Sequence, residues 1–392
     1  MRALVAFDKF KDSMGAADAC RTAADAIRGS CEGCEVDAAP LTDGGEGFAR
    51  ILTEARGGQI RVSEVTGPRF GRVSAEWGMV ALGTLENELR DWLGVAGEGL
   101  LAVVEMAQAS GLQGLASDLR DPWRTTTRGT GEIIREAAAA GASAILLGIG
   151  GSATNDMGLG ALEALGLEFS GPGGDARDVV PADWGRIDRL AGKVVALPPI
   201  RIACDVSNSL LGPDGAAAVY GPQKGLRAED IPRMQSEMAR VARLMCGFAG
   251  RRFDLVEEPS SGAAGGIGFG LRVATDARYV PGFELVSRWL RLEPRVRAAD
   301  VVITGEGRFD LSSLRGKGPG SLCRWAAEAG KPAWVFAGQV AAELMDARRR
   351  EAMPRLRLVP ITPRGMALDQ ALARGPELLA AAVREAFSAW AK

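Results

Sequence analysis

Histidine is absent from this sequence of 392 residues, and tyrosine occurs only twice. Zinc sites of the histidine type, Ser-His and Cys-His nucleophile pairs, and imidazole acid–base catalysis all require histidine. These mechanisms are therefore excluded. Any proton transfer must use Asp, Glu, Lys, Cys or one of the two tyrosines.

Long apolar runs and clustered cysteines are also missing. The apolar run Ala3 to Phe7 stops at Asp8, which makes it too short for a secretory signal or a membrane span. The six cysteines are scattered, so we expect a reduced, cytoplasmic protein. Cys31 and Cys34 form a CxxC pair, but without histidine or a second CxxC pair they cannot complete an ordinary structural zinc site.

The sequence also lacks an excess of charge of one sign. The 47 Lys and Arg residues nearly balance the 49 Asp and Glu residues, for a formal net charge of −2. We therefore expect no nucleic acid and no anionic membrane surface as a partner. The oligomeric state is left open, and an oligomer is compatible with the sequence.

Glycine, by contrast, is abundant, with 52 residues or about 13%, against about 7% in average proteins. Short apolar runs that end in glycine-rich stretches alternate with alanine-rich segments of helical spacing, which is typical of βα units. Strands are predicted at 3–7, 143–147, 200–203, 301–303, 333–336 and 358–361. Helices are predicted at 16–28, 45–55, 131–140, 158–165, 231–246, 321–329 and 366–389.

Two stretches interrupt this alternation. Residues 63–83 predict an antiparallel hairpin, and residues 170–193 predict a Gly- and Pro-rich excursion with little core of its own. The length favours two or three domains. We predict an α/β protein with two α/β domains, one formed by residues 1–66 and 291–392 and the other inserted at 67–290.

Carboxylates stand directly after the apolar runs, where ligands bind in open α/β sheets. They are Asp8, Asp43 with Glu46, Asp156, Asp205, and Glu306 with Asp310. Neighbouring glycines would let a bound anion or metal ion approach the backbone closely. Glu46, Asp156, Glu306 and Asp310 are the candidate metal ligands. For Asp43, Glu46, Glu306 and Asp310, metal coordination and ordering of the phosphate loops stay open as alternatives.

Basic residues occupy matching places in the sequence. They are Lys9, Lys11, Lys224, Arg308, Arg315 and Lys317. Acids for Mg²⁺ together with bases for phosphate indicate phosphoryl transfer, which needs no histidine. The loop from Gly148 to Asp156 is predicted to hold phosphate through its backbone. The candidate nucleotide-binding residues are Gly150, Gly151, Ser152, Thr154, Lys224 and Lys317.

Familiar nucleotide motifs do not fit. Gly318 follows the Gly316-Lys317 pair where a P-loop has Ser or Thr, and Ala153 stands where a dinucleotide fingerprint has its third glycine. Gly148-Ile-Gly150 still follows a good strand. A nicotinamide-dependent dehydrogenase of a small hydroxy acid, and a metabolite-binding protein without catalysis, therefore stay open as alternatives.

Eight strings in one order carry a resemblance to a known family. They are Asp8-Lys-Phe-Lys-Asp-Ser13, Pro40-Leu-Thr-Asp-Gly-Gly-Glu-Gly47, Gly129-Thr-Gly-Glu132, Gly148-Ile-Gly-Gly-Ser-Ala-Thr-Asn-Asp156, Ala203-Cys-Asp-Val-Ser-Asn208, Gly221-Pro-Gln-Lys-Gly225, Ala263-Ala-Gly-Gly266, and Ile303-Thr-Gly-Glu-Gly-Arg-Phe-Asp310 with Gly316-Lys317. On these strings the chain resembles the bacterial class I glycerate kinases.

The resemblance implies transfer of the γ-phosphoryl group of ATP to D-glycerate with Mg²⁺, usually at the 2-hydroxyl. It also implies a Rossmann-like domain built from both chain ends, an inserted domain, and an active site in the cleft between them. Asp205 would accept the hydroxyl proton, and Lys11 and Arg308 would bind the glycerate carboxylate. Further substrate contacts would come from Asp8, Lys9, Asp43 and Asn208.

The sequence departs from the family pattern at several of these positions. The family usually has Ser in place of Lys9, Gly in place of Asp12 and Met157, and Asp-Asn-Pro in place of Ser207-Asn-Ser209. A kinase of the same fold that acts on a related small hydroxy acid therefore stays open as an alternative.

Overall fold

The computed structural model describes residues 1–315, 318–346 and 355–390. In chain order, its strands are β1 (Arg2–Phe7), β2 (Glu35–Ala38), β3 (Gln59–Thr66), β4 (Arg72–Ala81), β5 (Leu100–Glu105), β6 (Ala142–Gly148), β7 (Leu167–Gly171), β8 (Gly174–Ala176), β9 (Arg189–Gly192), β10 (Ile200–Ala203), β11 (Arg278–Val280), β12 (Val301–Phe309), β13 (Ala333–Val340) and β14 (Leu356–Pro360).

The α-helices are α1 (Ala16–Arg28), α2 (Phe48–Glu54), α3 (Asn87–Leu93), α4 (Met106–Ser110), α5 (Arg128–Ala139), α6 (Leu159–Ala164), α7 (Ala216–Tyr220), α8 (Ile231–Ala249), α9 (Ile267–Ala274), α10 (Gly282–Leu290), α11 (Leu292–Ala298), α12 (Gly318–Glu328), α13 (Leu368–Ala373) and α14 (Gly375–Trp390). No helix in the described ranges is both long enough and apolar enough to cross a membrane.

Residues 1–42 and 286–392 form one compact unit, here called the terminal unit. Its sheet has the strand order β14-β13-β12-β1-β2, and every neighbouring pair is parallel. Apolar side chains of β1 and β12 pack with buried residues of α1 and α14, such as Ile27 and Phe387. The continuous apolar run of β1 fits a strand that is buried on both faces.

Residues 43–285 form the second compact unit, here called the central unit. Its main sheet has the order β11-β10-β6-β5-β4-β3. Strands β5, β6, β10 and β11 pair in parallel, whereas β3, β4 and β5 are joined by antiparallel ladders. The β3–β4 ladder confirms the predicted hairpin, and the parallel terminal sheet and the mixed central sheet, together with the helices, confirm the α/β class.

Several predicted boundaries differ from the structure. The units divide at 42/43 and 285/286 rather than at 66/67 and 290/291, because β3 pairs with β4 inside the central sheet. The single helix predicted at 366–389 is two helices, α13 and α14. Within residues 170–193, β8 and β9 form a small antiparallel sheet with β7, and Trp184 is fully buried in the core of the central unit.

The cysteines differ in part from the expected reduced state. Cys31 and Cys34 form a disulfide with their Cα atoms 5.6 Å apart, in the turn between α1 and β2. The free cysteines of the described residues, Cys20, Cys204, Cys246 and Cys323, are all buried.

Candidate active site

Three parallel strands of the central unit end side by side. In their ladders Gly148 of β6 pairs with both Glu105 of β5 and Ala203 of β10. The residues that follow these positions therefore lie along one edge of the sheet, as expected for a ligand site of an open α/β sheet.

Two glycine-rich loops contact each other at this edge, the loop that carries Gly44 and the loop that carries Gly150. The N–H of Gly150 donates to the Gly44 carbonyl at 2.9 Å. A Cβ on Gly148 would lie 2.6 Å from that carbonyl oxygen, and a Cβ on Gly150 would lie 2.6 Å from the Cα of Gly45. Contacts this short exclude a side chain, so glycine is required for the backbones to approach.

Asp205 follows Cys204, the first residue after β10, and is half-buried at this edge. Its Oδ2 accepts a hydrogen bond of 2.8 Å from the N–H of Phe283. A Cβ on Gly282 would lie 3.0 Å from both Asp205 Oδ2 and the Asp43 carbonyl oxygen. The structure thus brings Asp205 and Asp43 together around a glycine, and the Asp43 side chain is exposed.

Asp156, a predicted metal ligand, is enclosed by hydrogen-bond donors of the central unit. Its carboxylate is fully buried and accepts hydrogen bonds from the N–H and hydroxyl of Thr127, both at 2.8 Å, and from the N–H groups of Gly158 and Gly160. Burial raises the pKa of Asp156, while these donors oppose the rise. With four donors around two oxygens, its role is to tie the loop to the start of α5.

Lys224 is also buried, with 1% of its surface exposed. Its ammonium donates to Ser152 Oγ at 2.9 Å, to the Thr154 carbonyl at 2.6 Å and to Asn155 Oδ1 at 3.2 Å. Burial lowers the pKa of Lys224 to about 7, and the nearby Asp156 charge opposes that shift. All three donors of the ammonium are used inside the loop, so the contacts of Lys224 in this structure are those of a loop support.

The predicted backbone cradle for phosphate is largely closed in this structure. The N–H groups of Gly150, Ala153 and Met157 already donate to carbonyls of Gly44, Ser110 and Gly265. Ser152 and Thr154 are buried. Gly150 and Gly151 are both half-exposed, and Gly151, with a positive φ of 73°, is the one of these two whose N–H is not given to one of those carbonyls.

Glu105 is a buried carboxylate that is not among the predicted site residues. It is 1% exposed, and its Oε2 accepts from the N–H of Ala49 at 3.1 Å. Burial raises the pKa of Glu105 to about 7, and the neighbouring Glu46 charge adds to the rise. The apolar run Leu100 to Val104 was the available signal, because Glu105 follows it as the other carboxylates follow their strands.

Other predicted residues of the central unit have structural partners. Asn208 donates from Nδ2 to the Asp214 carbonyl and accepts from the Tyr220 hydroxyl at 2.6 Å, which holds its own loop. A Cβ on Gly151 would lie 2.7 Å from Glu46 Oε1, so Glu46 packs against the neighbouring loop. This contact favours the ordering role for Glu46 over the metal role.

The terminal unit has its own strand-end site. The N–H of Asp8, after β1, donates to the Gly305 carbonyl of β12 at 2.9 Å. A Cβ on Gly307 would lie 3.3 Å from the backbone nitrogen of Lys11, so the loop after β1 lies beside β12. Lys9 is half-buried, and Lys11 is exposed.

The end of β12 contributes one basic and two acidic side chains to this site. Glu306 and Asp310 are half-buried, and Arg308 is exposed with its Nε 3.5 Å from Asp310 Oδ2. Hydrogen bonds from Ser312 lower the pKa of Asp310. Lys317 lies outside the described residues.

Two departures from the resembled family have a backbone consequence. Asp12 and Met157 stand where that family usually has glycine, and both have a positive φ, 61° and 52°. Left-handed backbone favours glycine, so these positions carry strain that the family's glycine would avoid. Met157 is fully buried.

The model of the glycerate kinase family matches residues 3–391. The chain belongs to the glycerate kinase family. It is 35% identical to a glycerate kinase of Halalkalibacterium halodurans, over 99% of this chain and 98% of the relative. It is 34% identical to the glycerate 2-kinase of Escherichia coli K12, over 87% and 86% of the two chains.

The fold agrees with this membership. A crystal structure of a Salmonella typhimurium LT2 protein assigned as glycerate kinase 2 matches with a TM-score of 0.75 and 33% identity, over 100% of this chain and 98% of that one. Glycerate kinases are phosphotransferases, and nothing in the geometry of the Gly148–Gly150 turn favours the dehydrogenase alternative.

Proposed function

We propose that the protein transfers the γ-phosphoryl group of ATP to the 2-hydroxyl of D-glycerate, in a reaction that requires Mg²⁺. Family membership supports the acceptor class. The observation that carries the mechanism is Asp205, a half-buried carboxylate anchored by the Phe283 N–H at the edge where three strands end.

Asp205 is the proposed general base. The glycerate hydroxyl oxygen attacks the γ-phosphorus, its proton passes to the Asp205 carboxylate, and the bond from the γ-phosphorus to the bridging oxygen of ADP breaks. The anchoring N–H holds one carboxylate oxygen in place, which orients the group before substrate arrives. Asp43 lies beside it and is the proposed substrate contact on this unit.

The glycerate carboxylate needs a cation, and the proposed partners are Arg308 and Lys11. Both side chains are exposed, so neither is held by hydrogen bonds in the core. Asp8 and Lys9 on the same loop are proposed to contact the substrate as well. Gly151 and Lys317 remain the proposed contacts of the ATP phosphates.

The carboxylates of β12 fit a Mg²⁺ site better than Asp156 does. Mg²⁺ usually takes one or two protein carboxylates together with water and phosphate oxygens. Among the described residues no three acidic or thiol groups cluster as a ready-made metal site. Hydrogen bonds from Ser312 lower the pKa of Asp310, which favours its ionised form, and Glu306 is half-buried four residues earlier. These two would hold the ion, which would neutralise charge on the transferred phosphoryl group.

The direct test incubates the protein with ATP, Mg²⁺ and D-glycerate and identifies the product by phosphorus NMR. We expect 2-phosphoglycerate. Asp205→Asn should lower kcat by about 100-fold or more, since a general base contributes typically 10²–10⁴-fold. Asp276→Asn is the matched control, because Asp276 is a surface carboxylate of the same unit with a side chain that is 95% exposed.

Three results would contradict the proposal in different ways. A 3-phosphoglycerate product would refute the 2-position. If the wild type turned over D-glycerate and Asp205→Asn kept the wild-type kcat, the general-base role of Asp205 would be refuted. No turnover of D-glycerate, with turnover of another small hydroxy acid, would refute the acceptor.

A further inference from the structure

Glu105 is a buried charged group that has no part in the proposed reaction. It is the last residue of β5, in register with Gly148 of β6. Its Oε2 accepts from the N–H of Ala49 at 3.1 Å, and its Oε1 accepts from Gln108 Nε2 at 3.4 Å. The Gly47 N–H also donates to this carboxylate.

The donors Gly47 and Ala49 lie at the beginning of α2. A helix leaves its first N–H groups without partners, and a side chain at the N-cap usually accepts from them. The N-cap of α2 is Gly47, which has no side chain and has a positive φ of 88°. Glu105 therefore supplies from β5 the acceptor that the helix itself lacks.

The chain after Glu105 contacts the loop that carries Gly151. The Ser110 carbonyl accepts from the Ala153 N–H at 2.9 Å, and the Leu112 N–H donates to the Gly151 carbonyl at 2.8 Å. Residues 105–112, here called the support segment, thus touch both loops of the edge. The loops are in turn locked together by the hydrogen bond from Gly150 to Gly44.

We propose that Glu105 is a positioning residue of the kinase: its carboxylate fixes the beginning of α2, and through it the loop that carries Asp43 and the loop that carries Gly151. The inference rests on the proposed function. Glu105 does not touch substrate, because it lies below the loops and is 1% exposed.

The charge of Glu105 makes this role dependent on pH. An ionised carboxylate accepts from all three donors, whereas the protonated acid turns one oxygen into a donor. Glu46 is the charged group that faces it, and its negative charge opposes ionisation. Because burial raises the pKa of Glu105 to about 7, the carboxylate accepts its full set of hydrogen bonds only above neutral pH. Below it, the protonated acid keeps the fold stable but holds the beginning of α2 through fewer accepted hydrogen bonds.

The test compares Glu105→Gln with the wild type in kcat and KM across pH 5.5–9. We expect kcat/KM for D-glycerate to fall about 10- to 100-fold, as for other residues that orient a site through a neighbour. The acid limb of the wild-type profile near pH 7 should flatten in the variant. Hydrogen exchange of peptides covering residues 43–54 and 148–158 should become faster.

Glu163→Gln is the matched control. Glu163 is a carboxylate of the same unit, and it accepts from the N–H groups of Asp178 and Val179. A general loss of stability would affect both variants alike, and thermal unfolding of each measures that loss. We expect the control to keep the wild-type pH profile and the wild-type exchange at residues 43–54.

Each outcome bears on a distinct claim. A wild type that does not phosphorylate D-glycerate would refute the proposed function and the inference that rests on it. An active wild type would leave that function standing. The role of Glu105 alone would then be refuted if Glu105→Gln kept its kcat/KM and its acid limb, or if Glu163→Gln lost them equally.

Discussion

At the scale of single residues, Lys224 shows how burial changes the meaning of a charged side chain. A lysine in a glycine-rich string is a natural partner for phosphate when only the sequence is known. In the structure its three hydrogen bonds go to Ser152, Thr154 and Asn155. Its effect on catalysis must therefore pass through the geometry of that loop.

Lys224→Met should destabilise the fold more than it weakens nucleotide binding. The substitution leaves three buried acceptors without their donor and removes the cation beside Asp156, so we expect a loss of about 3–5 kcal/mol in the free energy of unfolding. Urea unfolding measures it. Lys193→Met, at an exposed lysine of the same unit, should change it little. A variant of wild-type stability with a raised KM for ATP would restore the phosphate role.

At the scale of elements, the edge formed by β5, β6 and β10 depends on backbone contact between two loops. Register places the strand ends together, and glycine lets the loops meet without side chains between them. The abundance of glycine in the sequence has part of its explanation here. Elsewhere, as at Gly173, a Cβ would meet nothing within 4 Å.

Gly150→Ala tests this contact. The new Cβ would lie 2.6 Å from the Cα and 2.7 Å from the nitrogen of Gly45, so one loop must move. We expect a loss of about 1–3 kcal/mol in the free energy of unfolding, as for other overpacked sites, together with a fall in kcat/KM. Gly173→Ala is the matched control and should leave both values close to wild type. Equal behaviour of the two variants would contradict the interlocked loops.

At the scale of the whole molecule, the absence of histidine leaves few groups to titrate near neutral pH. Among the described residues, Glu105 and Lys224 have pKa values shifted to about 7, from ordinary values of 4.5 and 10.5. Both are buried in the central unit. The pH dependence of stability should therefore report on these two residues.

The two residues predict opposite changes of the free energy of unfolding with pH. The folded state binds the Glu105 proton more tightly than the unfolded chain, so its contribution to stability is full below pH 4.5 and is lost as pH rises to about 7. Lys224 binds its proton less tightly when folded, so the free energy of unfolding should rise between about pH 7 and 10.5. Stability from these groups is lowest near neutral pH.

Glu105→Gln isolates the contribution of Glu105 to the pH dependence of the free energy of unfolding. The difference in the free energy of unfolding between wild type and variant should decrease by about 3 kcal/mol between pH 4.5 and 7 and then stay constant. Denaturant titrations at fixed pH values measure it. A flat difference for Glu105→Gln would show that burial does not displace its pKa.

The amino-acid sequence by itself determined the α/β class, the β3–β4 hairpin, the strand-end position of the acidic residues and the family. These follow from apolar runs, glycine and short motifs, which are properties of neighbouring residues. Tertiary structure alone decided which charged groups are accessible. The Asp156 carboxylate is hydrogen-bonded by Thr127, the Lys224 ammonium donates to Ser152, and the Glu105 carboxylate accepts from Ala49. Each pair is far apart in the chain, and a local pattern does not record whether burial and a distant donor or acceptor have already satisfied a charge.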